Sequence, residues 1–302
     1  MPMMYPDVSM SVLRAARPNF LSLTPICVLI GIGAAIQSHG HVSVADSILV
    51  LIGALMAHIS VNLLNEYHDF RSGLDLLTVR TAFSGGSGSL PANPDAASAT
   101  RIAGLASLAV AAVIGLYFVY EKGVALLPLG LAGLLLVLAY TPLVTRHPLL
   151  CLFAPGVGFG PLMVMGTAFA ITGSYSWIAV AASLPPLLLV SELLLINQFP
   201  DIDADRQVGR RHFPIIWGRK RSAILFGVLV VAAFGAVATG VGIGILPSLV
   251  LIGLLPLPAG LFLARQVHVH AEDQEKLVTC LGINVAVIHI TLLLVALGLL
   301  FG

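Results

Sequence analysis

Residues 45–75 read ADSILVLIGALMAHISVNLLNEYHDFRSGLD, and this stretch decides the fold. Its first part is apolar over about 20 residues, the length a helix needs to cross a bilayer. It closes on Asn65-Glu66-Tyr67-His68-Asp69-Phe70-Arg71-Ser72-Gly73-Leu74-Asp75. A second apolar run closes in the same manner, on Asn197-Gln198-Phe199-Pro200-Asp201-Ile202-Asp203-Ala204-Asp205-Arg206. The two clusters hold six of the chain's fourteen acidic residues. Carboxylates at a membrane edge are costly unless a cation meets them. A hard divalent ion carrying a phosphorylated ligand is the natural partner.

Composition agrees with a membrane class. Hydrophobic residues make up 58% of the 302 and charged ones 10%, far below the charged share of about 25% usual in soluble domains. Only helices and closed barrels satisfy their backbones in lipid. The long unbroken apolar runs lack the period-2 alternation of a barrel. The chain is therefore expected to be an all-α, polytopic membrane protein with one domain over residues 1–302. Cys27, Cys151 and Cys280 lie apart with no paired spacing, so neither a disulfide framework nor a zinc site is expected. Arg14 and Arg17 precede the first apolar run after a long lead-in with no small-residue cleavage site, which predicts a retained first span.

Apolar runs of bilayer length place nine spans at 19–37, 45–66, 101–120, 124–141, 149–172, 176–199, 221–243, 246–264 and 277–300. Pro185 and Pro186 predict a kink in the sixth. On this map fourteen of the fifteen Lys and Arg residues fall on one side, and Lys122 alone on the other. That partition puts the N-terminus in the cytoplasm and the C-terminus outside. The acidic clusters follow spans 2 and 6, separated by an even number of crossings. Both therefore face the cytoplasm, at a central cavity opening to that side.

Helical spacing sorts the polar residues. His58, Asn62, Asn65, Glu66 and Asp69 fall on one face of span 2. The stripe begins inside the apolar run, so it must face protein rather than lipid. Asn197, Asp201 and Asp205 are spaced i, i+4, i+8, which predicts one ridge on a helix running out of span 6, with Asp203 turned to solvent. The Asp-x-Asp-x-Asp run is not an EF-hand, because Arg206 takes the turn-glycine position and His212 the closing-glutamate position. Glu192, alone in the apolar part of span 6, is either functional or a protonated carboxyl bonded to a neighbour. The tract Arg80–Pro91 lacks a P-loop ending, although its glycines would let backbone N–H groups approach an anion. His39/His41 and His268/His270 lie on opposite sides of the membrane and cannot form one site.

These residues resemble the UbiA superfamily of intramembrane prenyltransferases. The resemblance covers nearly the whole chain and begins at Arg17-Pro-x-x-Leu-x-Leu-Thr-Pro25. Asn65-Glu66-x-x-Asp69 with Gly73-Leu74-Asp75 is most similar to the 1,4-dihydroxy-2-naphthoate polyprenyltransferase branch of menaquinone synthesis. Phe83–Gly88, Asn197–Asp201 and Val208–Arg211 fit that branch too. Two departures stand out. Gly73 occupies a position where relatives commonly have aspartate, so Asp75 must serve instead. After Tyr140-Thr141-Pro142 the chain reads Arg146-His147-Pro148-Leu149-Leu150-Cys151, where relatives show a basic residue and then Gly-Leu-Gly-Glu.

The resemblance implies nine helices and a Mg²⁺-bound isoprenyl diphosphate between the two motifs. Asn65, Asp69, Asp75, Asp201 and Asp205 are the implied metal ligands, with the four aspartates catalytic. Glu66, Arg71, Arg146, Asn197, Arg210 and Tyr140 join Asn65 as expected diphosphate or acceptor contacts. An electron-rich aromatic acceptor would attack the allylic cation formed by diphosphate departure. The expected partners are the isoprenyl diphosphate, the acceptor and the bilayer of a bacterial-type plasma membrane, with no nucleic acid. The alternatives are a different acceptor (4-hydroxybenzoate, a chlorin or a lipid alcohol) or a polytopic transporter. A transporter would carry its carboxylates near the midplane on broken helices, whereas nearly all the acids here fall at one membrane face.

Overall fold

The computed structural model describes residues 7–78, 80–81 and 85–302, so Phe83 and Ser84 of the glycine-rich tract lie outside the described residues. The chain is all-helical, with no strand among the described residues. The main elements are α1 (Val8–Ala15), α2 (Leu23–His39), α3 (Val44–Ser72), α4 (Ala97–Lys122), α5 (Leu127–Ala139), α6 (Pro148–Thr172), α7 (Trp177–Asn197), α8 (Ile202–Gln207), α9 (Arg219–Gly242), α10 (Ser248–Val269) and α11 (Gln274–Phe301).

Seven of these, α3, α4, α6, α7, α9, α10 and α11, are long and apolar enough to cross a membrane. The other two expected spans are less regular. The first passes only when α2 is joined to Val8–Phe20, which meets it at a 50° bend. The second, Val124–Ala139, is a shorter apolar helix. Helix ends match the apolar runs closely, except that α3 continues beyond 66 to Ser72. The polar turn around Asp69 is therefore helical.

Local chemistry sets the ends of α3. Ser43 caps its start, its hydroxyl accepting from the Asp46 N–H at 3.2 Å. Gly73, at φ +81°, ends it in the left-handed conformation that glycine adopts without strain. The chain then makes one further turn, Leu74–Leu77, which buries Asp75 beside the end of α3. Gly73 is thus the helix cap that delivers Asp75.

The α7 helix runs as one element through Pro185 and Pro186. Its neighbour α6 contains a π-helical segment, Gly158–Met165, with Pro161 inside it. A proline deprives the helix of one N–H donor, and wider turns of this kind collect at functional sites. Two glycines bring these helices together. A Cβ at Gly156 would strike the Leu187 carbonyl, and one at Gly160 would lie 2.5 Å from the Ser183 carbonyl. The core beside them holds Ile30, Val164, Leu189, Val237, Ile288 and Leu292. A second cluster, including Phe199, Phe213, Phe226 and Leu277, sits beneath α8 and the segment that follows it.

Candidate active site

Both acidic clusters converge on one cavity of about 280 Å³. His58, Asn62, Asn65 and Asp69 of α3 line it, with Asp75 from the turn beyond. Asn197, Asp201, Asp205 and Arg210 contribute from the end of α7 and the segment around α8, and Tyr140 from the end of α5. The expected continuous ridge through Asn197, Asp201 and Asp205 is interrupted. The α7 helix stops at Asn197 and α8 starts at Ile202, because Pro200 lacks an N–H and disfavours helix in the residue before it. The break still leaves all three side chains at the cavity.

Arg210 ties the clusters together. Its guanidinium bonds Asp69 of α3, and at 3.0 Å it bonds Asp205 of α8. Burial opposes its charge, but Asp69 and Asp205 hold it protonated above the ordinary guanidinium range. Asp205 also contacts His212 Nε2 at 2.8 Å. Asn65 Nδ2 donates to Asp69 Oδ2 at 3.0 Å and to the Thr141 hydroxyl at 3.1 Å.

Glu66 is fully buried, yet it is not part of the cavity lining. It accepts from Arg17 Nε at 2.7 Å, from the Ser87 N–H at 2.7 Å and from the Ser87 hydroxyl at 2.7 Å. With both oxygens engaged, it holds Arg17 and the 85–88 loop rather than facing a ligand. Arg17 adopts φ +51°, the only positive φ among the described non-glycine residues. From there it lines the cavity and donates to Asn65 Oδ1 at 3.3 Å. Arg71 and Arg146 are exposed and absent from the lining. Asp203 is exposed as expected, 3.8 Å from Arg206.

Several oxygens at the cavity lack partners. Asp75 Oδ2, Asp201 Oδ1 and Asn197 Oδ1 are buried with no hydrogen bond. Burial raises the Asp75 carboxyl to about 7, with Glu66 and Asp69 pushing the same way. Burial likewise raises Asp201 to about 7, Asp205 adding to it, while the Gly85 N–H donates to its carboxylate and opposes the rise. Among the described residues no three His, Cys, Asp or Glu side chains form a ready metal cluster. The donors present are hard oxygens with spare lone pairs. They suit Mg²⁺, which keeps few protein carboxylates and completes its shell from water and phosphate.

A second cavity, of about 440 Å³, adjoins the first and runs between α3, α4, α5 and α6. Its lining is apolar apart from His58 and Thr167. His58, Val61, Leu136, Val137, Gly158 and Phe159 line both cavities and mark their junction. His58 is anchored there by Thr24, whose hydroxyl lies 2.7 Å from Nδ1, and its ring stands edge-on to Phe159 at 4.9 Å.

In the sequence alone Arg17 reads as a topology charge and part of the opening motif, and His212 only as a failed EF-hand position. Both line the cavity. The signal for Arg17 was its place immediately before Pro18 and the first apolar run, which puts a cation at the edge of the bundle. Gln198 carried no signal beyond its place in the second cluster.

The chain matches the model of the UbiA prenyltransferase family over residues 24–286. A 1,4-dihydroxy-2-naphthoate octaprenyltransferase of Bacillus subtilis is 30% identical over 235 residues, covering 75% of this chain and 73% of that protein. A solved structure of a digeranylgeranylglyceryl phosphate synthase superposes with TM-score 0.67 at 17% identity, covering 97% of this chain and 99% of that one. A UbiA homologue from Archaeoglobus fulgidus, solved with GPP and Mg²⁺, gives TM-score 0.64 at 13% identity, covering 94% and 99%. The chain belongs to the UbiA prenyltransferase family, and it is an enzyme of that class.

Proposed function

We propose that this cavity binds the diphosphate of a polyprenyl diphosphate with Mg²⁺ and transfers the prenyl group to an aromatic acceptor, 1,4-dihydroxy-2-naphthoate being the first candidate. The observation that carries this is the meeting of two acidic clusters at one cavity that continues into an apolar channel. A prenyl diphosphate has those two halves, one polar and one apolar. The named Bacillus subtilis relative supports the acceptor, and the Archaeoglobus fulgidus homologue solved with GPP and Mg²⁺ supports the donor and the metal.

Asn65, Asp69, Asp75, Asp201 and Asp205 would hold Mg²⁺, with the unpartnered oxygens of Asp75, Asp201 and Asn197 among the available donors. Bound Mg²⁺ supplies charge neutralisation that makes diphosphate a better leaving group. Arg17 and Arg210 add charge-assisted donors at the same wall, the role first expected of Arg71 and Arg146. Those two are exposed and absent from the cavity lining. Tyr140 and the hydrophobic junction at His58 and Phe159 shield the reacting carbon from water. The prenyl tail lies along the channel, whose exposed rim residues Leu116 and Leu131 open it toward lipid.

Nine crossings, with the N-terminus and the cavity mouth on the cytoplasmic side, complete this reading. It is supported by the Lys and Arg partition and by apolar helices close to every expected span. The test is direct. Purified protein in detergent, given Mg²⁺, geranyl diphosphate and 1,4-dihydroxy-2-naphthoate, yields a prenylated product by mass spectrometry, and EDTA abolishes it. Absence of product across a panel of hydroxyaryl acceptors contradicts the proposal.

A further inference from the structure

The segment that leads into α9 joins an exposed indole to a basic turn. A short helix, Phe213–Trp217, buries Phe213 and Pro214 and leaves Ile216 and Trp217 exposed. The Phe213 ring lies 4.3 Å from the Trp217 ring, centroid to centroid, and holds the indole in place. Gly218, at φ +79°, then turns the chain into Arg219-Lys220-Arg221, the first three residues of α9.

Arg219 is engaged. It donates to the Phe199 carbonyl at 3.2 Å and lies 3.7 Å from Glu272. Phe199 follows Gln198, which lines the polar cavity, so α9 starts at the cavity's end of the bundle. Lys220 and Arg221 are exposed, make no ion pair among the described residues and do not line the cavity. The first turn of α9 holds no acidic residue, and no side chain caps it. Two free cations thus add to the positive end of a helix, where cations are unfavourable without an anion.

Lys220 and Arg221 also stand on an apolar stripe. At 3.6 residues per turn, Lys220, Arg221, Ile224, Val228 and Val231 fall within about 100° of one another. Ile224, Val228 and Val231 are each more than half exposed. The 24 residues of α9 give it a length of about 36 Å. Against about 30 Å of hydrocarbon, its first turn reaches the headgroup layer while the stripe lies among acyl chains. An indole belongs at that same level. The charge rule for loops fixes the sign of these residues, but it does not require them to be unpaired at the head of an exposed apolar stripe.

We propose that this face binds a phospholipid with an anionic headgroup. Its phosphate meets Lys220 and Arg221, its acyl chain lies along Ile224, Val228 and Val231, and Trp217 flanks it. This rests on α9 crossing the bilayer and is independent of the donor and acceptor assigned to the cavity. A net-negative headgroup is favoured over a zwitterionic one, because the patch offers two cations with no carboxylate paired to either.

The chain has two tryptophans, Trp177 and Trp217, so full-length Trp177→Phe protein reports from Trp217 alone. It is reconstituted in phosphatidylcholine nanodiscs carrying brominated phosphatidylglycerol or brominated phosphatidylcholine at equal mole fraction, and quenching is measured. The relative association constant should favour phosphatidylglycerol by about fivefold or more, the factor one basic residue contributes beside an anionic lipid. In Lys220→Gln/Arg221→Gln on that background the preference should fall to within about twofold of none. The single Arg221→Gln variant should lose part of it, and it decides if the double variant does not fold. Sodium chloride should weaken the preference, and inorganic phosphate at equal ionic strength should weaken it no further. Equal quenching by the two lipids, or a preference that survives loss of the cations, overturns the proposal. So does the same preference at Trp177 in Trp217→Phe protein, because the enrichment is then not local. Competition by phosphate beyond that of chloride overturns it too, since the patch then takes a free anion rather than a lipid.

Discussion

Arg17 and Glu66 form an ion pair at 2.5 Å in which the glutamate is wholly buried. The pair joins the start of the bundle to the end of α3 and, through Ser87, to the glycine-rich loop. Removing one member leaves the other charge without compensation. Arg17→Met is expected to destabilise the fold by roughly 3 kcal/mol, the scale for breaking a buried pair from one side. Thermal unfolding in detergent measures it. Ser87→Ala, which removes one neutral hydrogen bond to the same carboxylate, should cost only about 1 kcal/mol.

Arg210 spans Asp69 and Asp205 with separate guanidinium nitrogens. Lysine carries one point charge and cannot reproduce that fork. Arg210→Lys should lower kcat/KM for the prenyl diphosphate by about tenfold or more, an effect of the size expected for losing one charge-assisted contact. Steady-state kinetics with the acceptor saturating will show it.

Asp75 and Asp201 give a pH dependence. Both carboxyls are raised to about 7, burial being the largest cause. Below that pH they are protonated and poor cation ligands, so Mg²⁺-dependent activity should fall as pH drops through about 7. Cations compete with these protons, so higher Mg²⁺ should move the limb to lower pH. The stability sign is opposite. A carboxyl raised on folding binds more protons folded than unfolded, so metal-free protein should lose stability as pH rises from about 4 toward 7. Activity profiles at two Mg²⁺ concentrations and melting curves with EDTA check both directions.

Gly86 has φ +74°, and a Cβ there would lie 2.9 Å from Asp75 Oδ1 and 3.3 Å from Glu66 Oε1. Gly40 has a similar φ of +79° but open space around it. Gly40→Ala should therefore cost only the backbone strain, roughly 1–2 kcal/mol, with activity retained. Gly86→Ala should abolish most activity as well, because the added methyl pushes directly on two carboxylates.

The apolar channel can be filled without disturbing packing. A Cβ at Gly130 meets nothing within 4 Å, and one at Gly133 only Leu162 Cδ1 at 3.9 Å. Gly130→Leu and Gly133→Leu should fold normally and discriminate against long donors. Their kcat/KM ratio of geranyl to octaprenyl diphosphate should rise above that of wild type in competition assays.

Much of this was legible in the sequence because membrane helices announce themselves by length and apolarity. The runs near Ala97, Trp177 and Gln274 became long helices with nearly the expected limits. Period 3.6 sorted Asn65 and Asp69 onto the cavity face. It also drew Glu66 with them, since the spacing alone did not distinguish a residue facing a ligand from one facing Arg17. That distinction depends on Arg17 and Ser87, 49 and 21 residues away in the chain. Period 3.6 also carried the helix through Pro200, where the backbone breaks instead. Arg71 and Arg146 had the right charge beside the right motifs, but an arginine's direction is set by tertiary packing, and both point outward. His212 became visible only where the segment after α8 folds back onto Asp205.

The central claim is that the two acidic clusters are one metal–diphosphate site. Isothermal titration of geranyl diphosphate into purified protein, with Mg²⁺ and then with EDTA, tests it most directly in wild type, Asp69→Asn and Asp201→Asn, with the exposed Asp203→Asn as control. The account predicts binding in wild type and Asp203→Asn that EDTA removes, and its loss in both Asp69→Asn and Asp201→Asn. Binding that survives EDTA, or that persists undiminished when either Asp69 or Asp201 is changed, contradicts it.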